Sequence, residues 1–285
     1  MSVAAPRIAV VTTAGMQYPD PEAPILADAL RETGADARLW AWDAPADWGV
    51  FDLVLVRSPW DYFDRLDEFL LWAEGVDAVT RIVNPANVIR WNSHKGYLPD
   101  MGKQGVPVLP SLLIPQGARN AEGRLDGCGW DDVVIKPAVD GGARETLRAQ
   151  RSSAAARGHT ARLAAAGDVV VQPYAAGVEA GETSLLFFGG ELSHAVRKVP
   201  AQGDYRVQAH HGGTELRHEP TSLELETSRL AMSCAPGPLT YARVDLVDVD
   251  GVPTLMELEV IEPDLFFRAD PESLGRFVTA VTAEL

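Results

Sequence analysis

The sequence contains few of the residues that mark secreted or thiol-metal proteins. Only two of its 285 residues are cysteine, Cys128 and Cys234, and neither lies in a C-x-x-C spacing. This argues against a disulfide framework or a thiol-ligated zinc site and favours a reducing compartment. No uninterrupted apolar run approaches the length of a membrane span, and the first residues do not resemble a signal peptide. We therefore expect a cytoplasmic protein without a membrane partner.

Basic residues are also scarce relative to acidic ones. The chain has 25 Lys and Arg against 40 Asp and Glu, which gives a formal net charge of −15 at pH 7. Such a charge repels phosphate backbones, so we expect no nucleic-acid partner, and any bound nucleotide must be held by local groups. The first predicted strand is followed by Thr12-Thr13-Ala14-Gly15 rather than by G-x-G-x-x-G, which disfavours a dinucleotide-dependent reductase.

The patterns that are present are typical of an α/β fold. Residues 7–12 form an apolar run that predicts a buried strand, and residues 24–33 have the apolar period of a helix that ends at Gly34. Two further short strands are predicted at 37–42 and 53–56. The first ninety residues are therefore expected to form a small α/β unit with a parallel sheet, whose strand ends are the usual position of a ligand.

A second and larger α/β region is predicted after a Pro/Asn-rich crossing. It begins at Trp91, and its first helix is expected to hold Lys95. Further strands are predicted at 106–113, 133–135, 169–172, 184–188 and 193–199, a helix at 154–166 and a hairpin at 241–261. We divide the chain into an N-terminal unit 1–90, a middle unit 91–170 and a C-terminal unit 171–285.

A dense polar and aromatic cluster follows the third predicted strand. Its sequence is Arg57-Ser58-Pro59-Trp60-Asp61-Tyr62, and the end of a strand is the usual place for a small-molecule pocket. In this interpretation Arg57, Trp60 and Asp61 contact the substrate, and Tyr62 and Trp91 are further candidates for the pocket wall. The alternative is a helix N-cap with a hydrophobic staple, and one segment can serve both purposes.

The hairpin at 241–261 carries candidate metal ligands. Strand alternation puts Arg243 and Asp245 on one face, and it also puts Glu257 and Glu259 on one face. If the two faces coincide, three carboxylates meet, and they repel one another strongly when they are buried without a cation. Oxygen-only ligands suit Mg²⁺, or Mn²⁺, better than zinc. The alternative is a solvated hairpin face, and the alternation by itself favours neither interpretation.

The turn of this hairpin bears on whether the carboxylates meet. A two-residue turn at Asp250-Gly251 opposes Asp245 to Met256. A three-residue turn with its glycine in the left-handed conformation opposes Asp245 to Leu255, beside Glu257. Of these two turns, we expect only the second to bring three carboxylates together.

Two lysines and a glycine pair favour a phosphate site. Lys136 ends the apolar run Val133-Val134-Ile135, so its ammonium group is expected to need an anion that offsets desolvation. Lys198 follows a similar strand pattern, and Gly141-Gly142 gives a loop whose backbone amides can approach a phosphate closely. Each signal is weak alone, but together, and before a carboxylate hairpin, they indicate a nucleotide phosphate site with magnesium.

The order of these motifs resembles the glutathione-synthetase-like ATP-grasp ligases over nearly the whole chain. The motifs are Lys136 in a V-V-I-K-P strand, the glycine loop, Gln172-Pro173-Tyr174, Lys198, and Asp245 followed by Glu257 and Glu259. The resemblance implies an α/β protein with the ATP-grasp fold and an N-terminal Rossmann-like, pre-ATP-grasp domain. It further implies that ATP lies between two α/β subdomains and that Mg²⁺ is a cofactor.

The same resemblance implies roles for individual residues. Around ATP it places Lys95, Lys136, Gly141, Gly142, Gln172, Pro173, Tyr174 and Glu182, and around magnesium it places Asp245, Glu257 and Glu259. The family commonly has Asn at the third metal position, where this chain has Glu259.

Four phrases resemble a narrower bacterial subgroup, the cycloserine-forming cyclo-ligases. They lie at 57–62, 191–198, 203–208 and 261–267. Such enzymes close O-ureido-D-serine to an isoxazolidinone ring at the expense of ATP, so the resemblance implies a role in antibiotic biosynthesis and a small amino-acid-like substrate. The alternatives are an intermolecular carboxylate-amine ligase, a small-molecule kinase and a noncatalytic ATP-binding module.

The expected chemistry needs alignment and charge neutralisation rather than a side-chain nucleophile. Lys136, Lys198 and Arg206 are expected to neutralise the triphosphate, while Arg243 orients the acceptor carboxylate. The carboxylate becomes an acyl phosphate, a nitrogen nucleophile attacks it, and phosphate leaves.

The Gly- and His-rich segment 203–213 is expected to be a lid that excludes water, with a static surface loop as the alternative. Its His210 and His211, like His194, lack the spacing of zinc ligands, so no zinc site is expected. By analogy with the family, the protein is expected to form a homodimer.

Overall fold

Three β-sheets follow one another in the computed structural model, which describes residues 4–15, 20–207 and 212–285. The N-terminal sheet consists of β1 (Arg7–Thr12), β2 (Asp36–Ala41), β3 (Leu53–Ser58) and β4 (Arg81–Val83), in the order β2-β1-β3-β4. All its neighbouring strands run parallel, which confirms the predicted parallel sheet. The helices α1 (Glu22–Glu32) and α2 (Leu66–Asp77) connect its strands.

Burial explains why these residues form a parallel sheet with helices. All six residues of β3 are buried, as expected for a strand that is covered on both faces. In α1 the buried apolar residues Ala23, Leu26, Ala27 and Leu30 recur at helical spacing and pack on the sheet. The segment that follows β3 lies beside residues of the other two sheets.

The middle part of the chain contains two short helices and an antiparallel sheet. The helices are α3 (Ala86–Asn92) and α4 (Tyr97–Lys103), and the sheet has the order β5-β8-β6-β7, with β5 (Leu112–Ile114), β6 (Asp132–Pro137), β7 (Leu147–Gln150) and β8 (Val169–Pro173). The helix α5 (Ala154–Ala166) packs on this sheet. The predicted unit boundary at 170 falls inside β8, so the middle sheet extends to Pro173.

Lys95 does not lie in a helix, so that prediction is wrong. It occupies the turn between α3 and α4. Its backbone N–H donates to the carbonyl of Ala138 at 2.8 Å, and its Nζ donates to the carbonyl of Asp140 at 2.7 Å. These tertiary hydrogen bonds replace helical ones and hold the lysine against the end of β6.

The C-terminal sheet is antiparallel and has five strands in the order β11-β10-β9-β12-β13. They are β9 (Glu182–Phe188), β10 (Glu191–Val199), β11 (Thr214–His218), β12 (Tyr241–Val249) and β13 (Val252–Glu259), with α6 (Ser222–Ser233) and α7 (Ser273–Thr282) as the accompanying helices. None of the helices in the described residues has both the length and the apolar character needed to cross a bilayer.

The N-terminal and C-terminal sheets share one hydrophobic core. Leu55 and Val83 of the N-terminal sheet belong to the same buried cluster as Leu186, Tyr241 and Phe277. The middle sheet has a separate core, whose buried residues all come from the stretch 114–171. The first and last parts of the chain therefore form one packed body, to which the middle sheet is attached.

Asn84 joins the two sheets of that body. Its side-chain amide donates to the carbonyls of Tyr241 and Val260 at 2.9 and 2.8 Å and accepts from the Thr240 N–H at 2.7 Å. The residue is fully buried. Asn84 thus satisfies three backbone groups at the edge of the C-terminal sheet that have no access to water.

Replacing Asn84 by leucine is expected to lower the free energy of unfolding by about 2–5 kcal/mol, because three buried backbone groups lose their partner. Urea unfolding followed by circular dichroism measures the effect. The matched control is Asn87→Ala, since Asn87 is exposed and its side-chain amide donates to a single carbonyl, that of Pro236. Equal unfolding midpoints for Asn84→Leu and Asn87→Ala would contradict the proposed bridging role.

Candidate active site

A cavity of about 870 Å³ lies where the three sheets meet. The N-terminal sheet contributes the segment after β3, with Trp60, Tyr62 and Phe63. The middle sheet contributes residues of β6, β8 and the glycine loop, and the C-terminal sheet contributes residues of β9, β10, β12 and β13. Its size and its mixed apolar and charged lining suit a nucleotide together with a small second ligand.

Most of the residues predicted for the site line this cavity. They are Trp60, Lys95, Lys136, Gly141, Gly142, Gln172, Pro173, Tyr174, Glu182, Lys198, Arg206, Arg243, Asp245, Glu257 and Glu259. The structure therefore brings together residues that are up to 199 positions apart in sequence (from Trp60 to Glu259). What each of them binds stays a prediction.

The carboxylate hairpin has a two-residue turn. Val249 pairs with Val252, and the two residues between them, Asp250 and Gly251, have φ values of 53° and 83°. Positive φ at both positions is typical of a type I′ turn, which asparagine or aspartate followed by glycine adopts readily. On its own this turn would place Asp245 opposite Met256.

A β-bulge corrects the register of the hairpin. The pairing shifts between Asp245 and Leu246, so that Asp245 lies opposite Glu257, and Arg243 lies opposite Glu259. One extra residue in β13 produces this shift. The expectation that only a three-residue turn brings the carboxylates together is therefore wrong, because a two-residue turn followed by a bulge does so as well.

The hairpin carboxylates are paired with cationic side chains. Asp245 accepts from the Arg243 guanidinium, with 2.9 Å between Nη2 and Oδ2, and lies 3.4 Å from Lys198 Nζ. Burial raises the pKa of Asp245, but these two cations outweigh it and lower the pKa to about 2. Glu257 pairs with Lys95 at 3.0 Å, and Glu259 pairs with Arg243.

The cavity nevertheless has too little positive charge for its acidic groups. Burial raises the pKa of Glu259 to about 8, and the charges of Glu257 and Asp245 add to that effect against the opposing effect of Arg243. Burial likewise raises the pKa of Glu262 to about 7, with a further contribution from Glu257. An additional cation at this end of the hairpin would stabilise the ionised carboxylates.

The metal prediction fits the donor set but not the present side-chain arrangement. Within residues 4–15, 20–207 and 212–285, no group of three His, Cys, Asp or Glu side chains is arranged to hold a metal ion. The three hairpin carboxylates face Lys95, Lys198 and Arg243 instead. Oxygen-only donors with an excess of negative charge match a hard divalent cation, which would take the place of these ion pairs.

The glycine loop is fixed to the N-terminal unit by one arginine. Arg144 pairs with Asp140 at 3.0 Å and with Asp64 at 2.9 Å, and its guanidinium stacks on the ring of Phe63, 4.3 Å from the ring centroid. Gly142 adopts a φ of 66°, a conformation that favours glycine. The loop between β6 and β7 is thereby placed at the mouth of the cavity.

Arg57 and Asp61 do not line the cavity, so their contact with substrate stays a prediction that the cavity lining does not support. The Arg57 guanidinium is buried between Asp20 and Glu22, at 3.0 and 3.1 Å, and donates to the carbonyl of Pro263 at 2.6 Å. Asp61 accepts from Trp42 Nε1 at 2.8 Å and pairs with Arg65 at the same distance. Both residues support the pocket wall from behind.

Replacing Arg57 by methionine is expected to destabilise the protein by roughly 3–5 kcal/mol, because buried Asp20 loses its cation and buried Glu22 keeps only the more distant Arg268, at 3.6 Å. ATP affinity per folded molecule should not change, since Arg57 lies behind the cavity wall and does not line the cavity. Thermal unfolding and nucleotide titration measure the two quantities separately. The exposed Arg38, which pairs with Asp36, provides the control Arg38→Met. A stable Arg57→Met variant with weakened ligand binding would restore the original interpretation.

The remaining histidine and aromatic candidates are His194, Trp91, His210 and His211, and neither His194 nor Trp91 lines the cavity. His194 is buried, and its Nε2 lies 3.0 Å from the carbonyl of Leu265, away from the cavity lining. Trp91 packs on Tyr97 rather than lining the cavity. His210 and His211, with part of the predicted lid, lie outside the described residues.

Several cavity residues were not predicted from the sequence. They include Phe63, Asn92, Leu109, Asp140, Val178, Glu215, Met256, Glu262, Asp264 and Phe266. The stretch 261–267 resembles a sequence phrase of the cyclo-ligases, but it follows the end of β13. Strand alternation therefore could not predict which of its side chains face the cavity. The apolar residues carry no signal of their own, because an apolar cavity wall and a core have the same composition.

Comparison with known proteins gives matches over nearly the whole chain. Residues 8–84 match the family model "D-cycloserine synthetase DcsG, N-terminal domain", and residues 128–266 match "Prokaryotic glutathione synthetase, ATP-grasp domain". The cycloserine biosynthesis protein DcsG of Streptomyces lavendulae is 34% identical over 298 residues, covering 98% of each chain. The glutathione synthetase of Agrobacterium fabrum is 24% identical over 67% of this chain and 57% of its own.

Solved structures agree with these matches. The crystal structure of D-cycloserine synthetase DcsG superposes with a TM-score of 0.87 at 32% identity, covering 97% of this chain and 99% of the other. D-alanine–D-alanine ligase from Bacillus anthracis superposes with a TM-score of 0.68 at 15% identity, covering 98% and 97%, which shows a shared fold.

The fold and the cavity define an ATP-grasp ligase, a class of enzyme that uses ATP and divalent metals. Within that class the chain belongs to the D-cycloserine synthetase DcsG family. The predicted ATP-grasp fold and ATP-dependent ligase activity are thereby confirmed.

Proposed function

We propose that this protein is a magnesium-dependent cyclo-ligase that closes O-ureido-D-serine to D-cycloserine. The observation that carries the proposal concerns the N-terminal unit, which matches a domain model of D-cycloserine synthetase and supplies the cavity wall formed by Trp60, Tyr62 and Phe63. Full-length similarity to a cycloserine biosynthesis protein supports the same substrate. The free thiols of Cys128 and Cys234 are compatible with a reducing, cytoplasmic location. We also propose that the protein is a homodimer, which light scattering tests.

The cavity offers separate surroundings for the base and the phosphates of ATP. Leu109, Val178 and Met256 form an apolar wall near Tyr174, which suits a flat base. Lys136 has no carboxylate within ion-pair distance among the residues that the structure describes. Burial lowers its pKa, so a phosphate group beside it would stabilise the charged ammonium. We assign Lys136 to the triphosphate, with Lys95, Lys198 and Arg206 nearby.

In the proposed reaction the substrate carboxylate attacks the γ-phosphate, which gives an acyl phosphate and ADP. The ureido nitrogen bonded to oxygen then attacks the acyl carbon, and phosphate leaves. After ring closure one water hydrolyses the N–carbamoyl bond, which releases the carbamoyl group as carbon dioxide and ammonia. Arg243 orients the carboxylate, and the enclosing walls exclude water that would hydrolyse the acyl phosphate. Magnesium, held by Asp245, Glu257 and Glu259, would supply charge neutralisation at the phosphates.

Product analysis tests this proposal. Purified protein is incubated with Mg-ATP and each enantiomer of O-ureidoserine, while ADP release and product mass are followed. A cyclised product from the D-enantiomer is expected. ADP release with an amide formed from two amino acids would replace the proposal by an intermolecular ligase, and a stable phosphoester would replace it by a kinase. ATP binding without turnover across a broad panel of amino acids would indicate a noncatalytic ATP-binding protein.

A further inference from the structure

Glu262 differs from the other carboxylates of the cavity. Seven cavity carboxylates have a cationic side chain within ion-pair distance: Asp140, Glu182, Glu215, Asp245, Glu257, Glu259 and Asp264. In the described part of the chain, Glu262 has no such partner. It is the acidic counterpart of Lys136, the cavity cation that likewise has no carboxylate partner there.

Glu262 lies between the N-terminal wall and the glycine loop. The indole N–H of Trp60 donates to the backbone carbonyl of Glu262 at 3.3 Å. Burial raises the pKa of Tyr62, and the charge of nearby Glu262 adds to that effect. On the other side, Glu262 Oε1 is 3.9 Å from the position that a Cβ on Gly141 would occupy. The carboxylate therefore faces the space between the substrate-side wall and the phosphate-side loop.

An ionised carboxylate in such a space is stabilised by a cation from outside the protein. Leaving the charge unpaired costs free energy because burial removes much of its hydration. The neighbouring cavity cations Lys95, Lys198 and Arg243 are already paired with other carboxylates. If the proposed metal ion takes the place of the ion pairs of Arg243 with Asp245 and Glu259, a ligand with a carboxylate for Arg243 and a cationic group for Glu262 would satisfy both residues.

We propose that Glu262, with Tyr62 beside it, binds the ammonium group of the amino-acid substrate and makes the enzyme specific for amine-bearing carboxylic acids. This proposal rests on the proposed function of the cavity. The ammonium group is adjacent to the carboxylate in an α-amino acid, so binding it at Glu262 fixes the carboxylate near the glycine loop. Asp264, two residues further along the chain, already pairs with Arg268 and is not available for this role.

The test compares O-ureido-D-serine with its analogue that lacks the amino group, in wild type, Glu262→Gln and the control Glu219→Gln, whose side chain is exposed. Wild type and control are expected to favour the amino acid by at least about tenfold in kcat/KM, since a site built for a polar group rejects an analogue that lacks it. In Glu262→Gln this preference should disappear, mainly through a higher KM for the amino acid, with ATP affinity unchanged.

Two results would overturn the proposal. One is an unchanged preference in Glu262→Gln, and the other is an equal loss of activity on both compounds, which would point to a metal or structural role. If Glu262→Gln does not fold, the wild-type ratio decides, and equal kcat/KM values for the two compounds would refute amine recognition.

Calorimetry separates this proposal from the proposed function. If wild type turns over neither compound, ring closure is refuted, and the binding of both compounds is then measured in the presence of Mg²⁺ and a nonhydrolysable ATP analogue. Binding that depends on the amino group and is lost in Glu262→Gln would support the ammonium site. Equal binding of the two compounds, or no binding of either to wild type, would refute it.

Discussion

Replacing Lys136 by methionine is expected to lower kcat by at least about 100-fold, because it removes a charge that we propose neutralises the transferring phosphate. The fold should not suffer. Lys136 has no ion-pair partner among the described residues, and burial disfavours its charged form, so methionine removes an unfavourable buried ammonium. The free energy of unfolding is therefore expected to stay equal or to rise. ADP release and urea unfolding measure the two effects on the same preparation.

The control for this variant is Lys103→Met. Lys103 lies at the end of α4, has 76% of its side chain exposed and, among the residues that the structure describes, pairs only with Asp100 on the same helix. It should leave both kcat and stability near their wild-type values. A Lys136→Met variant that is strongly destabilised would show that Lys136 has a structural anion partner, and a variant that stays active would remove Lys136 from the triphosphate.

Replacing Glu257 by glutamine is the second change with a large expected effect. Glu257 lies opposite Asp245 at the bulge and pairs with Lys95. Because Glu257 is a proposed metal ligand, its replacement should lower kcat by at least about 100-fold, a change of about 2.7 kcal/mol in activation free energy. The Mg²⁺ concentration required for half-maximal activity should rise as well. Rates measured across a range of Mg²⁺ concentrations give both values.

Stability must be measured beside activity for Glu257→Gln. Lys95 loses its carboxylate but keeps the carbonyl of Asp140 as an acceptor, so a moderate loss of stability is expected. Glu226→Gln, on the exposed face of α6, is the matched control. A Glu257→Gln enzyme with an unaltered Mg²⁺ requirement and wild-type kcat would assign Glu257 solely to the ion pair with Lys95.

The elements of the fold were predictable where the sequence pattern was local. The strand at 7–12, the helix at 154–166 and the strands of the C-terminal hairpin show their period and their boundaries directly in the sequence. Lys95 was placed in a helix because the apolar pattern continues from α3 into α4. The interruption arises from hydrogen bonds to Ala138 and Asp140, which are distant in sequence.

The cavity residues were predictable where charge and strand position coincided, as at Lys136 and Asp245. Arg57 shows the limit of this reasoning. A polar residue at a strand end can face a ligand or a buried partner. The partners of Arg57 are Asp20, just before α1, and Glu22, the first residue of α1, and no sequence pattern connects them to β3. The bulge in β13 could not be predicted from the sequence either, since no residue type at Met256 or beside it requires a bulge.

The shared core of the first and last sheets has a consequence for how the chain unfolds. Because Leu55 and Tyr241 belong to one buried cluster, the two ends of the chain are expected to lose structure in a single cooperative step. The middle sheet, with a core drawn only from residues 114–171, can open while the rest stays folded. Hydrogen exchange should then show two groups of amides, the more protected ones in the shared core and the less protected ones in the middle sheet. Nucleotide binding is expected to slow exchange mainly in the middle sheet.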